Sequence, residues 1–131
     1  MKCQVVAPLA LIVAFGLALS ACDSRPAHRE IGRVSSPDKA LDALIAERKV
    51  DATVATPIEV FIVRAGQGVS GEPVFRADEV IRPALKWDAE RQLTIQAESA
   101  RIFLYRNEVE AMEGGAGSVK IRLEIRHLET R

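Results

Sequence analysis

The chain has 131 residues with 18 basic and 18 acidic side chains, a hydrophobic share of 48% and an aromatic share of only 5%. Acids and bases are interspersed with no long block of one sign, which argues against a nucleic-acid partner and against a polybasic mode of holding a membrane surface. The only cysteines are Cys3 and Cys22, too few for a disulfide framework.

Taken in chain order, the first 21 residues have the three parts of an export signal. Lys2 is the only charge, an apolar run follows from Val5 to Leu19, and the small residues Ala18, Ser20 and Ala21 lead to Cys22. Gly16 interrupts the run shortly before that point. About 15 apolar residues fall short of the roughly 20 that span a bilayer, so the segment reads as a removable signal and not a permanent span.

Leu19-Ser20-Ala21-Cys22, set behind that run, resembles the lipobox of bacterial lipoproteins. The resemblance implies cleavage between Ala21 and Cys22, a diacylglyceryl thioether on Cys22, and acylation of the new amino terminus with a fatty acid such as palmitate. Each buried methylene contributes about 0.8 kcal/mol, so two or three chains anchor stably where one does not. Asp23 resembles the signal that retains lipoproteins in the inner membrane, which implies a place on the periplasmic face of the inner rather than the outer membrane. With Cys3 discarded and Cys22 acylated, the mature chain would hold no free thiol, so its domain must rest on an apolar core. Removing the first 21 residues leaves 110, enough for one modest domain, with 17 bases against 18 acids.

Residues 22–34 read as the lipidated N-terminus and a flexible tether, with Ser24, Pro26, Ala27, His28, Arg29, Glu30 and Gly32, and with Ile31 the only large aliphatic residue before Val34. A β-rich domain is expected over 35–131. In its clearest strand, Val119, Ile121, Leu123 and Ile125 alternate with Lys120, Arg122, Glu124 and Arg126, the period of a sheet with one buried face. Ile58 to Val63, Leu93 to Gln96 and Arg101 to Tyr105 read as further strands. A polar turn after Trp87 separates Leu85-Lys86-Trp87 from the Leu93 strand, and Gly114, Gly115 and Gly117 punctuate the approach to the Val119 strand.

The segment Ser36 to Lys49 supports two readings. Ser36 as a cap, Pro37 in a first turn, and the spacing of Leu41, Leu44 and Ile45 suit a helix. Yet Ser36-Pro37-Asp38, Leu41 to Arg48, Asp51-Ala52-Thr53 and Glu59 to Val63 together resemble a recurrent arrangement in small uncharacterised bacterial proteins. There a Ser-Pro-Asp-Gly turn leads into a strand, then a Gly-Ala-Thr loop and a second strand. Lys39 and Asp51 stand where that arrangement has its two glycines. Strand is the preferred expectation. The fold expected overall is mainly β, a single antiparallel meander of about five to seven strands, the alternative being α+β with a helix near 37–49.

Residues with chemical potential are sparse. Gly66-Gln67-Gly68-Val69-Ser70-Gly71 matches the dinucleotide-binding glycine spacing, but Glu72-Pro73-Val74 follows where a helix must begin, so a hairpin loop is expected. His28 lies in the tether segment, and His127 shares the face of Ile125, where a partly buried strand-end histidine is expected in preference to a general base. Asn107, Glu108, Glu110 and Glu113 read as a solvated edge. Trp87, Tyr105, Phe61, Phe75 and Phe103 fall within strands and are expected in the core. No set of residues has metal-ligand spacing. No catalytic residue, cofactor or metal is assigned. The expected role is that of a non-enzymatic interaction module at the cell envelope, joined to the membrane through Cys22 and to an envelope protein through an unpaired sheet edge. The alternatives are a small-molecule or lipid-binding module on the face near Trp87 and Phe103 and, third, a hydrolase.

Overall fold

The computed structural model describes residues 27–50, 55–110 and 117–128. The signal segment with Ala21, Cys22 and Asp23, the Asp51-Ala52-Thr53 loop, and Glu113 lie outside these residues. The strands are β1 (His28–Ser35), β2 (Leu41–Arg48), β3 (Ile58–Arg64), β4 (Phe75–Ile81), β5 (Ala84–Ala89), β6 (Gln92–Tyr105), β7 (Glu108–Glu110) and β8 (Ser118–Leu128). They form one mixed sheet ordered β1-β2-β3-β4-β6-β8-β7, with β5 added to β6. The described residues contain no helix, and the mainly β expectation is correct.

The segment with helical spacing is strand β2. Its apolar residues run without alternation because both of its faces are covered, and Leu41 to Ala46 are all buried. Leu41, Ala43 and Ile45 enter the main core, while Leu44 and Ala46 join Phe61, Val63 and Val69 in a second cluster. The turn entering β2 supplies the other half of the explanation. Ser36 is fully buried, its hydroxyl donates to Asp38 at 2.6 Å, and its backbone nitrogen donates to the Leu41 carbonyl at 2.8 Å. Lys39 closes the turn at φ 59°, in the left-handed region that favours glycine.

The expected tether through Val34 is corrected by β1, which pairs with β2 from His28↔Arg48 to Ser35↔Asp42, so the folded part begins at His28 rather than at Ser35. None of its residues is buried and all but His28 and Gly32 are exposed, so it carries little apolar signal, and the register slips between Glu30 and Gly32, which hides the period of two. Polar composition alone was the wrong guide there. Strand β4, with the sequence Phe-Arg-Ala-Asp-Glu-Val-Ile, has no clean alternation either, and its register against β6 slips between Asp78 and Ile81. Glu79 at φ 51° and Arg82 at φ 53° mark that irregularity and the exit from β4.

The two segments Leu93 to Gln96 and Arg101 to Tyr105 are one continuous strand, β6, which pairs with β5 along its first half and with β4 along its second. The expected meander is corrected at β8, which runs parallel to β6 from Gln92↔Lys120 to Ala100↔Leu128 and enters the sheet between β6 and β7. Strand β6 curls around the core, so both of its ends reach Ile121. Leu93 is the register partner of Ile121, and the Tyr105 hydroxyl donates to the Ile121 carbonyl at 2.6 Å.

Curling also brings β5 against β1. Trp87 Nε1 donates to the Val34 carbonyl at 2.9 Å, and Arg91 in the β5–β6 turn pairs with Asp38 in the β1–β2 turn at 3.0 Å. The main core between these elements is built from Val60, Phe75, Ala77, Leu93, Ile95, Val119 and Ile121, among others. Asp42 secures one end of it. This buried carboxylate accepts from Gly66 N–H at 2.9 Å, Ser35 Oγ at 2.7 Å and Arg33 Nη1 at 2.6 Å.

Candidate functional site

Among the described residues, a charged cleft beneath the β3–β4 loop and the outer edge of β8 both have the makings of a site.

The cleft grows from a buried carboxylate. Glu59 on β3 lies opposite Ala46 of β2 and Arg76 of β4, and only 2% of it is exposed. Burying a carboxylate is costly unless both oxygens are satisfied. Here Arg76 Nε donates to Oε1 at 2.5 Å and His28 Nε2 meets Oε2. The His28 ring also packs edge-on against Phe61 with centroids 5.2 Å apart. Residues Val69 to Pro73 roof a cleft of about 320 Å³ whose floor includes Arg48, Glu59 and Arg76. Arg48 Nε is buried there without a hydrogen-bond partner. Both oxygens of Glu59 are thus engaged, and the arrangement holds its charge in place.

Strand β8 is the other candidate. Its inner side pairs with β6 over nearly its whole length, whereas β7 covers its outer side only from Ser118 to Lys120. Ile121 closes that covered stretch, since its N–H donates to the Asn107 carbonyl at 2.8 Å and its carbonyl accepts from Tyr105. Backbone groups alternate in direction along a strand, so the N–H and C=O groups of Leu123, Ile125 and His127 point outward like those of Ile121. Among the described residues no strand pairs with this outer side beyond Lys120. Leu123 and Ile125 are half-buried toward the core, and Arg122, Glu124 and Arg126 are exposed on the opposite face. Gln96 Nε2 donates to Glu124 at 2.8 Å.

The residues singled out from sequence distribute as follows. His28 is not in a tether but in the Glu59 cleft. His127 is exposed, not partly buried, because β8 rises off the core toward that end. Gly66 to Gly71 form the loop after β3, as expected, and Gly66 donates its N–H to Asp42. Glu108 and Glu110 lie on exposed β7, where Glu108 accepts from Ser118 at 2.6 Å, so they do line a solvated edge. Phe61 and Phe75 are core residues and Trp87 is half-buried. Phe103 and Tyr105 are corrected: Phe103 is 57% exposed, with the Arg101 guanidinium 5.6 Å from its ring centre, and Tyr105 projects its hydroxyl to β8. Among the described residues no group of three or more His, Cys, Asp or Glu side chains gathers as a metal site, and no helix is long and apolar enough to cross a membrane.

The partners of Glu59 lie on strands the sequence did not reveal, β1 and β4, so the cleft was not legible beforehand. An acidic residue inside the apolar run Ile58 to Val63 was the one available signal. No family model, curated protein or solved structure matches this chain.

Proposed function

We propose that this chain is a lipid-anchored protein of the bacterial cell envelope that acts by binding another macromolecule and not by catalysis. The anchor is the acylated Cys22 of the lipobox, and Asp23 favours the periplasmic face of the inner membrane. With β1 starting at His28, the connection from Cys22 is short, reaching about 20 Å when extended. It therefore keeps the sheet close to the membrane surface. The observation that carries the interaction reading is the uncovered outer edge of β8, whose outward donors and acceptors can take an added strand. Both oxygens of the buried Glu59, by contrast, are already engaged inside the fold.

The test uses the full chain expressed in a bacterium. Fatty-acid labelling and membrane fractionation should show acylated, membrane-bound protein, with label and membrane retention both lost in Cys22→Ala. Labelled protein that stays in the membrane despite Cys22→Ala would refute the assigned anchor.

A second reading, capture of a small anion, rests on the unpartnered Arg48 Nε beside the Glu59 cleft. Inorganic phosphate should then raise the melting temperature of the wild type but not of Arg48→Met. An equal response of the two proteins, or none from either, removes this reading.

A further inference from the structure

We propose that the β8 edge receives a second copy of this chain, through antiparallel β8–β8 pairing about a twofold axis at Ile125. The inference rests on the reading of that edge as a binding surface and goes further by naming what binds. The groups available for a new ladder are those of Leu123, Ile125 and His127, because Arg122, Glu124 and Arg126 direct theirs toward β6. An added copy must therefore set odd-numbered residues opposite odd-numbered ones.

Coverage and charge together then select one register: pairing about Leu123 would set Ile125 opposite Ile121, whose outward groups are already held by Asn107 and Tyr105. With Ile125 opposite Ile125 of the second copy, Leu123 faces His127 and Glu124 faces Arg126. The twofold axis repeats each of these pairs, so two opposite-charge contacts form on the exposed face. Sliding the strands by two residues one way sets Glu124 against Glu124 and Arg122 against Arg126. Sliding them the other way sets Arg126 against Arg126. Both alternatives place like charges directly across the ladder, which is unfavourable. The selected register also joins the half-buried Ile125 side chains of the two copies into one apolar strip continuous with both cores. Gln96 steadies Glu124 in its strand, while Arg126 has no ion pair among the described residues and is available for the second copy. Such an interface is small, giving a weak, reversible dimer favoured when the copies are concentrated.

The experiment is sedimentation of the full chain in detergent micelles, up to about 100 µM, a range that detects weak association. Wild type should populate a dimer as concentration rises. Glu124→Arg and Arg126→Glu should each weaken association about tenfold or more, since each turns both opposite-charge contacts into like-charge ones. The double variant, with the two charges exchanged, should return to within about threefold of wild type. Both substituted positions are exposed, and circular dichroism checks that the sheet is kept in all three variants. A monomer at every concentration, insensitivity to the single reversals, or failure of the exchange to restore pairing would overturn the inference. An Ile125→Pro variant, which removes one outward N–H, separates this failure from that of the broader reading. If wild type is monomeric yet retains an envelope protein that Ile125→Pro loses, the binding edge stands and the second copy does not. If nothing is retained, both fall.

Discussion

Replacing Lys39 by glycine should stabilise the domain. At φ 59° the Lys39 β-carbon crowds the following carbonyl, a strain of about 1–2 kcal/mol for an L-residue. Glycine removes that strain but adds backbone freedom to the unfolded chain, at a cost of about 0.5–1 kcal/mol. The difference is a net gain of about 0.5–1 kcal/mol. For a domain of this size that corresponds to a rise of about 2–8 °C in melting temperature. The Lys39 side chain is exposed, while the backbone N–H that donates to the Ser36 carbonyl at 2.9 Å is retained by any residue but proline. Lys39→Ala therefore serves as the control that removes the side chain and keeps the strain. Thermal melts and urea titrations of both variants, followed by circular dichroism, give the comparison. Lys39→Gly melting at or below wild type, or Lys39→Ala gaining as much, would refute the assignment of strain to this turn.

Arg76→Ala should destabilise the domain by about 2 kcal/mol in urea denaturation, because it leaves the buried Glu59 with His28 alone, and the one-third exposure of Arg76 moderates the loss. A change under about 0.5 kcal/mol would show that water replaces the guanidinium freely. Acid should also unfold the domain. The Gly66 amide, with Ser35 and Arg33, holds the Asp42 carboxyl below the usual carboxylate range, and Arg101 does the same for Asp78. A depressed folded-state value means that these groups stabilise above the unfolded carboxylate range, and that this contribution is lost as pH falls through the lowered values. The melting temperature should thus be level from neutrality to about pH 5 and fall steeply below about pH 4, less so in Asp42→Asn. A steeper fall in Asp42→Asn than in wild type would contradict that sign.

How far the sequence revealed this fold depended on whether each strand has one wet face. Strand β8 does, and its alternation of Val119, Ile121, Leu123 and Ile125 was readable directly. Strand β2 has none, so its buried run matched helical spacing as well as extended structure, and only the resemblance carried by Ser36-Pro37-Asp38 and the segments after it favoured a strand. Strands β1 and β4 were missed because register slips at Glu30/Gly32 and Asp78/Ile81 destroy the period of two that a reader looks for. The parallel placement of β8 leaves no local mark at all, since nothing near Ser118 records that it lies beside Gln92 to Ala100. The Glu59 cleft inherits these gaps, being assembled from three strands of which only β3 was legible.

The insertion of β8 between β6 and β7 sets an order on how the molecule can assemble. Its partner residues on β6 precede it by 28 positions, as in Gln92↔Lys120, so this pairing requires closing a long loop and forms slowly compared with the β5–β6 hairpin. Until Ser118 to Leu128 has threaded into place, Gln92 to Ala100 presents a bare ladder, and Ile121 is missing from beneath both ends of the curled strand. A chain stalled at that stage is ready to accept a foreign strand, which makes the timing of its final segment a determinant of whether it folds alone or aggregates.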